Sequence, residues 1–196
     1  MRCSALLLAG GKSSRMGCDK ALLEIDDQPL WLRQIQTLRE LSPEQLLIAG
    51  PQRESGSEFE FVTDEMPEAG PLGGVAAALQ RCSTSHLVVL AVDLPQMRAE
   101  FLRSLFASCQ LGQGVVPRTE RGSEPLAAIY PVSCCALALD RLGRGDFSMQ
   151  NFVRCALAAR FLIERLVSPD EEAFFANLNT PADYERARQC NLRPRR

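Results

Sequence analysis

The chain has 196 residues, 46% of them apolar and 23% charged, and its 22 basic and 24 acidic side chains leave a formal charge of −2. That composition suits a soluble globular protein with one sizeable core. The near balance of charge excludes a broad nucleic-acid or membrane surface, and no apolar run approaches the ~18 residues of a membrane span.

Cys3 to Ala9 is a short apolar run without charge, the pattern of a strand buried on both faces of a parallel sheet. It stops at Gly10-Gly11, and the cations Lys12, Arg15 and Lys20 follow. Pro29 opens a helical stretch with Trp31, Ile35 and Leu38 on one face. Leu46 to Ala49 reads as the next strand, closed by Gly50-Pro51, and Glu60 to Thr63 as another that delivers Asp64. The segment Gly70-Pro71-Leu72-Gly73-Gly74 turns into an alanine-rich helix ending near Arg81. His86 to Val92 is the clearest central strand and ends at Asp93. Phe101, Leu102, Leu105 and Phe106 form a core-facing helical stripe. Strand-like runs at Val115-Val116 and Leu126 to Tyr130 lie in a less regular stretch from Gly114 to Pro131. Helical stretches near Val132 to Leu142 and Ser148 to Ala158 precede a last strand, Phe161 to Val167. Thr180-Pro181-Ala182-Asp183 is a helix start, with Thr180 as the cap and Asp183 facing the positive helix end.

Alternating strand and helix signals predict an α/β fold with a mostly parallel sheet covered on both faces. No repeat, low-complexity tract or linker divides residues 1–196, so a single domain is expected. The eight cysteines are scattered apart from Cys134-Cys135, contain no C-x-x-C pair, and accompany one histidine, His86. Zinc is not expected, and the thiols read as small buried apolar residues in a reducing compartment. Met1-Arg2-Cys3 leads straight into strand sequence, which leaves no room for a cleavable signal peptide and implies a cytoplasmic protein. Arg193, Arg195 and Arg196 read as a frayed basic terminus, and Arg144-Gly145-Asp146 as a chance adhesion tripeptide.

A strand, a glycine turn and a set of cations together suit a polyphosphate, whose oxygens take backbone amides and whose charge takes Lys and Arg. Two familiar phosphate loops do not fit. The Walker spacing requires glycine where Leu6 stands, and the dinucleotide fingerprint requires glycine where Lys12 stands. The string instead resembles L-A-G-G-x-x-x-R-M-G-x-x-K, the signature loop of the molybdenum cofactor guanylyltransferases, through Leu8, Ala9, Gly10, Gly11, Arg15, Met16, Gly17 and Lys20. Gly70 to Gly74 resembles that family's G-P-L-[AG]-G segment, and Asp93-Leu94-Pro95 its D-x-P. Glu124 to Tyr130 resembles its P-L-x-A-x-Y strand, and Asn177 to Pro181 its closing N-x-N-T-P.

The resemblance implies a three-layer, Rossmann-like, nucleotide-diphospho-sugar transferase-like fold. It implies a Mg²⁺-dependent enzyme that passes GMP from GTP to molybdopterin-bound molybdenum cofactor and releases pyrophosphate. Arg15, Lys20 and Asp93 are then the catalytic set, and Leu8, Ala9, Gly10, Gly11, Lys20, Asp64 and Asp93 bind nucleotide. Asp93 holds the metal, while Asn177 and Asn179 lie near metal and pterin. GTP and the molybdenum cofactor are the implied partners, with molybdopterin-synthesis proteins and apo-molybdoenzymes beyond them. Read from the residues alone, Asp93 also suits a helix cap for the segment beginning near Arg98, and Asp64 suits a cap or an exposed position. Ala49 departs from relatives that carry asparagine there for nucleotide contact. The rival readings are a cytidylyltransferase for the same cofactor, a sugar-phosphate nucleotidylyltransferase, or an inactive nucleotide-binding regulatory module. The joint presence of Arg15, Lys20 and Asp93 argues against the last.

Overall fold

In the computed structural model, residues 2–10, 19–52, 59–62, 66 and 69–191 are described. Gly11, Lys12, Arg15, Met16, Gly17 and Asp64 lie outside them.

The strands are β1 (Cys3–Leu8), β2 (Glu24–Ile25), β3 (Gln28–Pro29), β4 (Gln45–Ala49), β5 (Glu60–Val62), β6 (His86–Ala91), β7 (Gly114–Thr119), β8 (Gly122–Ser123), β9 (Ala127–Pro131) and β10 (Leu162–Leu166). The helices are α1 (Leu30–Arg39), α2 (Gly70–Arg81), α3 (Ala99–Ala107), α4 (Cys135–Gly143), α5 (Met149–Ala158) and α6 (Pro181–Asn191). The main sheet runs β10-β7-β9-β6-β1-β4-β5, with β8 paired to β7 at one end. Its centre is β1, parallel to β4 on one side and to β6 on the other. Only β9 in the run runs backwards, antiparallel to both β6 and β7. A mostly parallel sheet of the expected class results.

Register sets the working edge. Leu8 lies abreast of Ala49 and of Ala91, so β1, β4 and β6 end together. Because β9 is reversed, its beginning falls at the same edge, where Ala91 N donates to Leu126 O at 2.8 Å.

Both faces of the sheet are covered, which is why the central strands are mostly apolar on both sides instead of alternating, with Ser4 and His86 the buried polar exceptions. Ala5, Leu7, Val88 and Leu90 pack against Trp31, Ile35 and Leu38 of α1 and Phe101, Leu102 and Leu105 of α3. Leu6, Leu8, Leu87 and Val89 pack on the other face against Leu72, Val75 and Leu79 of α2 and Phe152 of α5. Six described cysteines are free thiols, and burial pushes Cys109 and Cys134 up to about 12, which keeps them protonated.

One expectation needs adjustment. The Gly70–Gly74 segment is not a turn ahead of its helix; it is the first turn of α2 itself. A Cβ on Gly74 would sit 2.9 Å from Ala49 Cβ and 3.1 Å from Leu8 Cδ2, so this glycine serves helix–sheet packing. The small hairpin β2–β3 escaped the sequence reading because its turn uses Asp26 and Asp27 at φ 55° and 56°, without the glycine that usually marks such turns.

Candidate active site

The site is built where β1, β4 and β6 end. Ala9 N donates to Ala49 O at 2.8 Å, and Val92 N donates to Leu8 O at 3.0 Å, so the three chain exits are tied together. Gly50 has φ 151°, and a Cβ there would meet Ala9 C at 2.7 Å. The chain leaving β1 therefore crosses the end of β4 backbone to backbone, and only glycine fits at residue 50. Leu8 and Ala9 are buried, whereas Gly10 is exposed. Any contribution of this segment to a ligand comes from the main chain.

Asp19 accepts from Ala21 N at 3.0 Å through its carboxylate and caps the short 3₁₀ turn Lys20–Leu22. Ala21 is fully buried and anchors that turn. Lys20 is thereby aimed across the edge: its Nζ donates to Asn179 Oδ1 at 2.8 Å and lies 3.6 Å from Asp93 Oδ2.

Asp93 stands in the turn after β6. The cap of α3 is Arg98, with no side-chain cap bond, so Asp93 does not cap that helix. Burial pushes its carboxyl above the usual range, and the Lys20 ammonium offsets this only in part. A half-buried carboxylate whose cost of burial one cation offsets only in part is suited to a second positive charge. Among the described residues no group of three or more His, Cys, Asp or Glu side chains gathers to hold a metal. The set present at the edge, one carboxylate and the Asn179 amide oxygen, consists of hard oxygen donors. It fits Mg²⁺, which keeps several waters and shares its shell with substrate phosphates.

The C-terminal segment closes the site. Leu178 is buried, and its N–H donates to Asp93 O at 2.9 Å. Ahead of it, fully buried Phe175 packs edge-on against Phe101 with centroids 5.4 Å apart, and Arg121 Nη2 donates to Phe175 O at 3.3 Å. Behind it, the expected helix start forms: Asp183 Oδ2 accepts from Thr180 N at 2.8 Å and Asn179 N at 3.2 Å, and Asp183 N donates to Thr180 Oγ1 at 3.2 Å. Tyr184 then donates its hydroxyl to Glu24 O at 2.6 Å, tying α6 to the small hairpin.

Of the expected site residues, the structure brings Lys20, Asp93 and Asn179 into contact and sets Gly10 at the same edge. Asn177 is exposed and makes no side-chain hydrogen bond to the described residues. The tyrosine of the P-L-x-A-x-Y strand, Tyr130, is a core residue whose hydroxyl donates to Pro125 O at 2.7 Å. Glu124 is half-buried, takes a hydrogen bond from Thr119 Oγ1 at 3.0 Å, and has its carboxyl raised by burial. Gln34 went unnoticed in the sequence, although a polar residue inside the apolar stripe Trp31-Ile35-Leu38 was a visible signal. It is buried and donates to Leu94 O at 2.5 Å.

Residues 5–162 match the MobA-like NTP transferase domain family. A protein of Opitutus terrae named as a probable molybdenum cofactor guanylyltransferase is 43% identical over 93% of both chains. A molybdenum cofactor guanylyltransferase of Syntrophotalea carbinolica is 32% identical over 95% of this chain and 90% of its own. Among solved structures, molybdopterin-guanine dinucleotide biosynthesis protein A of Archaeoglobus fulgidus superposes with a TM-score of 0.76 at 24% identity, covering 96% and 98% of the two chains. A nucleotidyl transferase of Methanothermobacter thermautotrophicus reaches 0.78 at 17% identity over 98% of each, a likeness of fold. With its sheet, its carboxyl-edge carboxylate and its sequence relatives in agreement, the chain belongs to the MobA-like NTP transferase family and is a nucleotidyltransferase.

Proposed function

We propose that this protein is a Mg²⁺-dependent guanylyltransferase that transfers GMP from GTP to the molybdenum cofactor and releases pyrophosphate. The observation that carries this reading is the meeting of Lys20, Asp93 and Asn179 beside Gly10 at the end of β1, together with relatives named for that activity. The amides after Ala9 would hold the triphosphate, with Gly11 and Arg15 assigned to it by their positions in the sequence motif, and Asp64 would contact the nucleotide, as the resemblance implies. Lys20, on meeting phosphate, would exchange its bond to Asn179 for oxygens of the nucleotide. Asp93, joined by Asn179, would hold Mg²⁺, which neutralises charge on the phosphates. The terminal phosphate oxygen of the pterin attacks the α-phosphorus in line, the bond to the β-phosphate oxygen breaks, and pyrophosphate leaves. A phosphate dianion needs no base to become a nucleophile, so the work is positioning and charge neutralisation. This accords with a site edge that carries no histidine.

The acceptor would lie towards Glu124 and the start of β9, where the sheet edge continues past β6, and the tail 175–179 would lie between the substrates. Residues 1–196 would act as one catalytic unit in the cytoplasm, handing its product to apo-molybdoenzymes. No described helix is long and apolar enough to cross a membrane. The test is pyrophosphate release from GTP and Mg²⁺ with purified molybdenum cofactor, run in parallel with CTP. Release with CTP alone would replace guanylyl by cytidylyl transfer, and release with neither would remove the catalytic reading.

A further inference from the structure

We propose that Gln34, on α1, is a positioning residue for the Asp93 carboxylate; the proposal rests on the reading of Asp93 as the Mg²⁺ ligand. Gln34 lies among Leu30, Trp31, Ile35 and Leu38 on the buried face of its helix and is 1% exposed. A buried amide is costly unless it is hydrogen-bonded, and an apolar residue would fill the same space without that cost. Its Nε2 reaches 60 positions along the chain to donate to Leu94 O at 2.5 Å. That carbonyl belongs to the residue directly after Asp93, and it also accepts from Met97 N at 3.0 Å.

The turn bearing Asp93 is therefore held from three directions. Its own backbone closes it at Met97, the C-terminal segment grips Asp93 O through Leu178 N, and α1 grips Leu94 O through Gln34. The Gln34 bond is the one made by a side chain from a separate helix, so it fixes the turn against the sheet's α1 face. Mg²⁺ tolerates little departure from octahedral geometry, so a small rotation of this turn weakens the metal even though Asp93 itself is intact.

The experiment measures Mn²⁺, in place of Mg²⁺, bound to the protein with GTP and no acceptor present, by water-proton relaxation, so that nothing depends on turnover. Gln34→Met keeps the size and removes the donor. The expected result is roughly tenfold weaker Mn²⁺ binding, as for loss of a group that orients a metal ligand. Ile35→Ala, a core truncation on the same helix that removes no hydrogen bond to the turn, should lose stability and leave Mn²⁺ binding unchanged. Binding by Gln34→Met within about twofold of wild type, or an equal loss in Ile35→Ala, overturns the proposal. Asp93→Asn is measured alongside. If it binds Mn²⁺ as wild type does, the metal reading falls and this one with it; if it loses the metal while Gln34→Met does not, this proposal alone fails. Should Gln34→Met not fold, Gln34→Leu, which also removes the donor at similar size, decides by the same Mn²⁺ readout, and binding within about twofold of wild type refutes the positioning role.

Discussion

Asp93→Asn separates stability from function in a way that only a ligand-binding carboxylate would. Lys20 Nζ lies 3.6 Å from Asp93 Oδ2, with side-chain exposures of 17% and 25%. At an effective dielectric near 20 the gross attraction is about 5 kcal/mol. Burial nevertheless outweighs it, since the carboxyl is raised above its unfolded value of 3.8. The sign follows from linkage. Below 3.8 the carboxyl is protonated in both states and costs nothing. As pH rises through the raised folded value, the native state must ionise a desolvated group and stability is lost, and the loss persists to neutrality. Asparagine carries no such cost, and Lys20 keeps its 2.8 Å bond to Asn179. The variant should therefore match or exceed wild-type stability at neutral pH, with the difference shrinking on acidification. Urea denaturation across this pH range measures it. Turnover should fall roughly a hundredfold or more, because the charge proposed to hold Mg²⁺ is gone. Stability falling by several kcal/mol together with retained turnover would refute the argument and return Asp93 to a structural role.

GTP with Mg²⁺ should raise the melting temperature more than CTP, ATP or UTP; saturation at a hundred times Kd corresponds to about 2.7 kcal/mol, and a larger shift with CTP would overturn the guanine preference. Lys20→Ala should weaken GTP roughly ten- to a hundredfold and guanosine hardly at all, with Lys12→Ala as the tolerant control, both read by calorimetry. Equal losses of GTP and guanosine affinity would mean that Lys20 does not meet phosphate. Phe175→Ala should cost about 3–5 kcal/mol in urea denaturation, since the ring is fully buried against Phe101. It should also lower turnover beyond what unfolding explains, because the same segment delivers Asn179; a variant with normal turnover when folded would show that the segment is only a core plug.

Much of the fold was legible because parallel sheets write themselves plainly. Cys3–Leu8 and His86–Ala91 are apolar apart from Ser4 and His86, and both proved to be central strands buried on two faces. The helices α1, α3 and α5 carried apolar residues at helical spacing and lie where that spacing put them. What escaped was structure whose cause is not local. β9 reads like its neighbours, yet it runs antiparallel between β6 and β7, a direction decided by the connections around it. Gly74 reads as a turn residue, but its role is to let α2 approach Ala49 and Leu8.

The site divides along the same line. Residue types at strand ends, Gly10 and Asp93, were visible from sequence because open α/β sheets present ligands at the carboxyl edge. The partner that makes Lys20 chemically specific is Asn179, 159 positions away, and no local pattern connects them. That separation has a physical consequence. Lys20 is fixed by a short turn near the amino end, Asp93 by the exit of a central strand, and Asn179 by a C-terminal segment gripped at Phe175, Leu178 and Asp183. None of the three can reach the others until the sheet is formed and the tail has docked. The charges that would meet a nucleotide are thus brought together by long-range packing, and a loss of tail docking should abolish the site while leaving the β1–β4–β6 core intact.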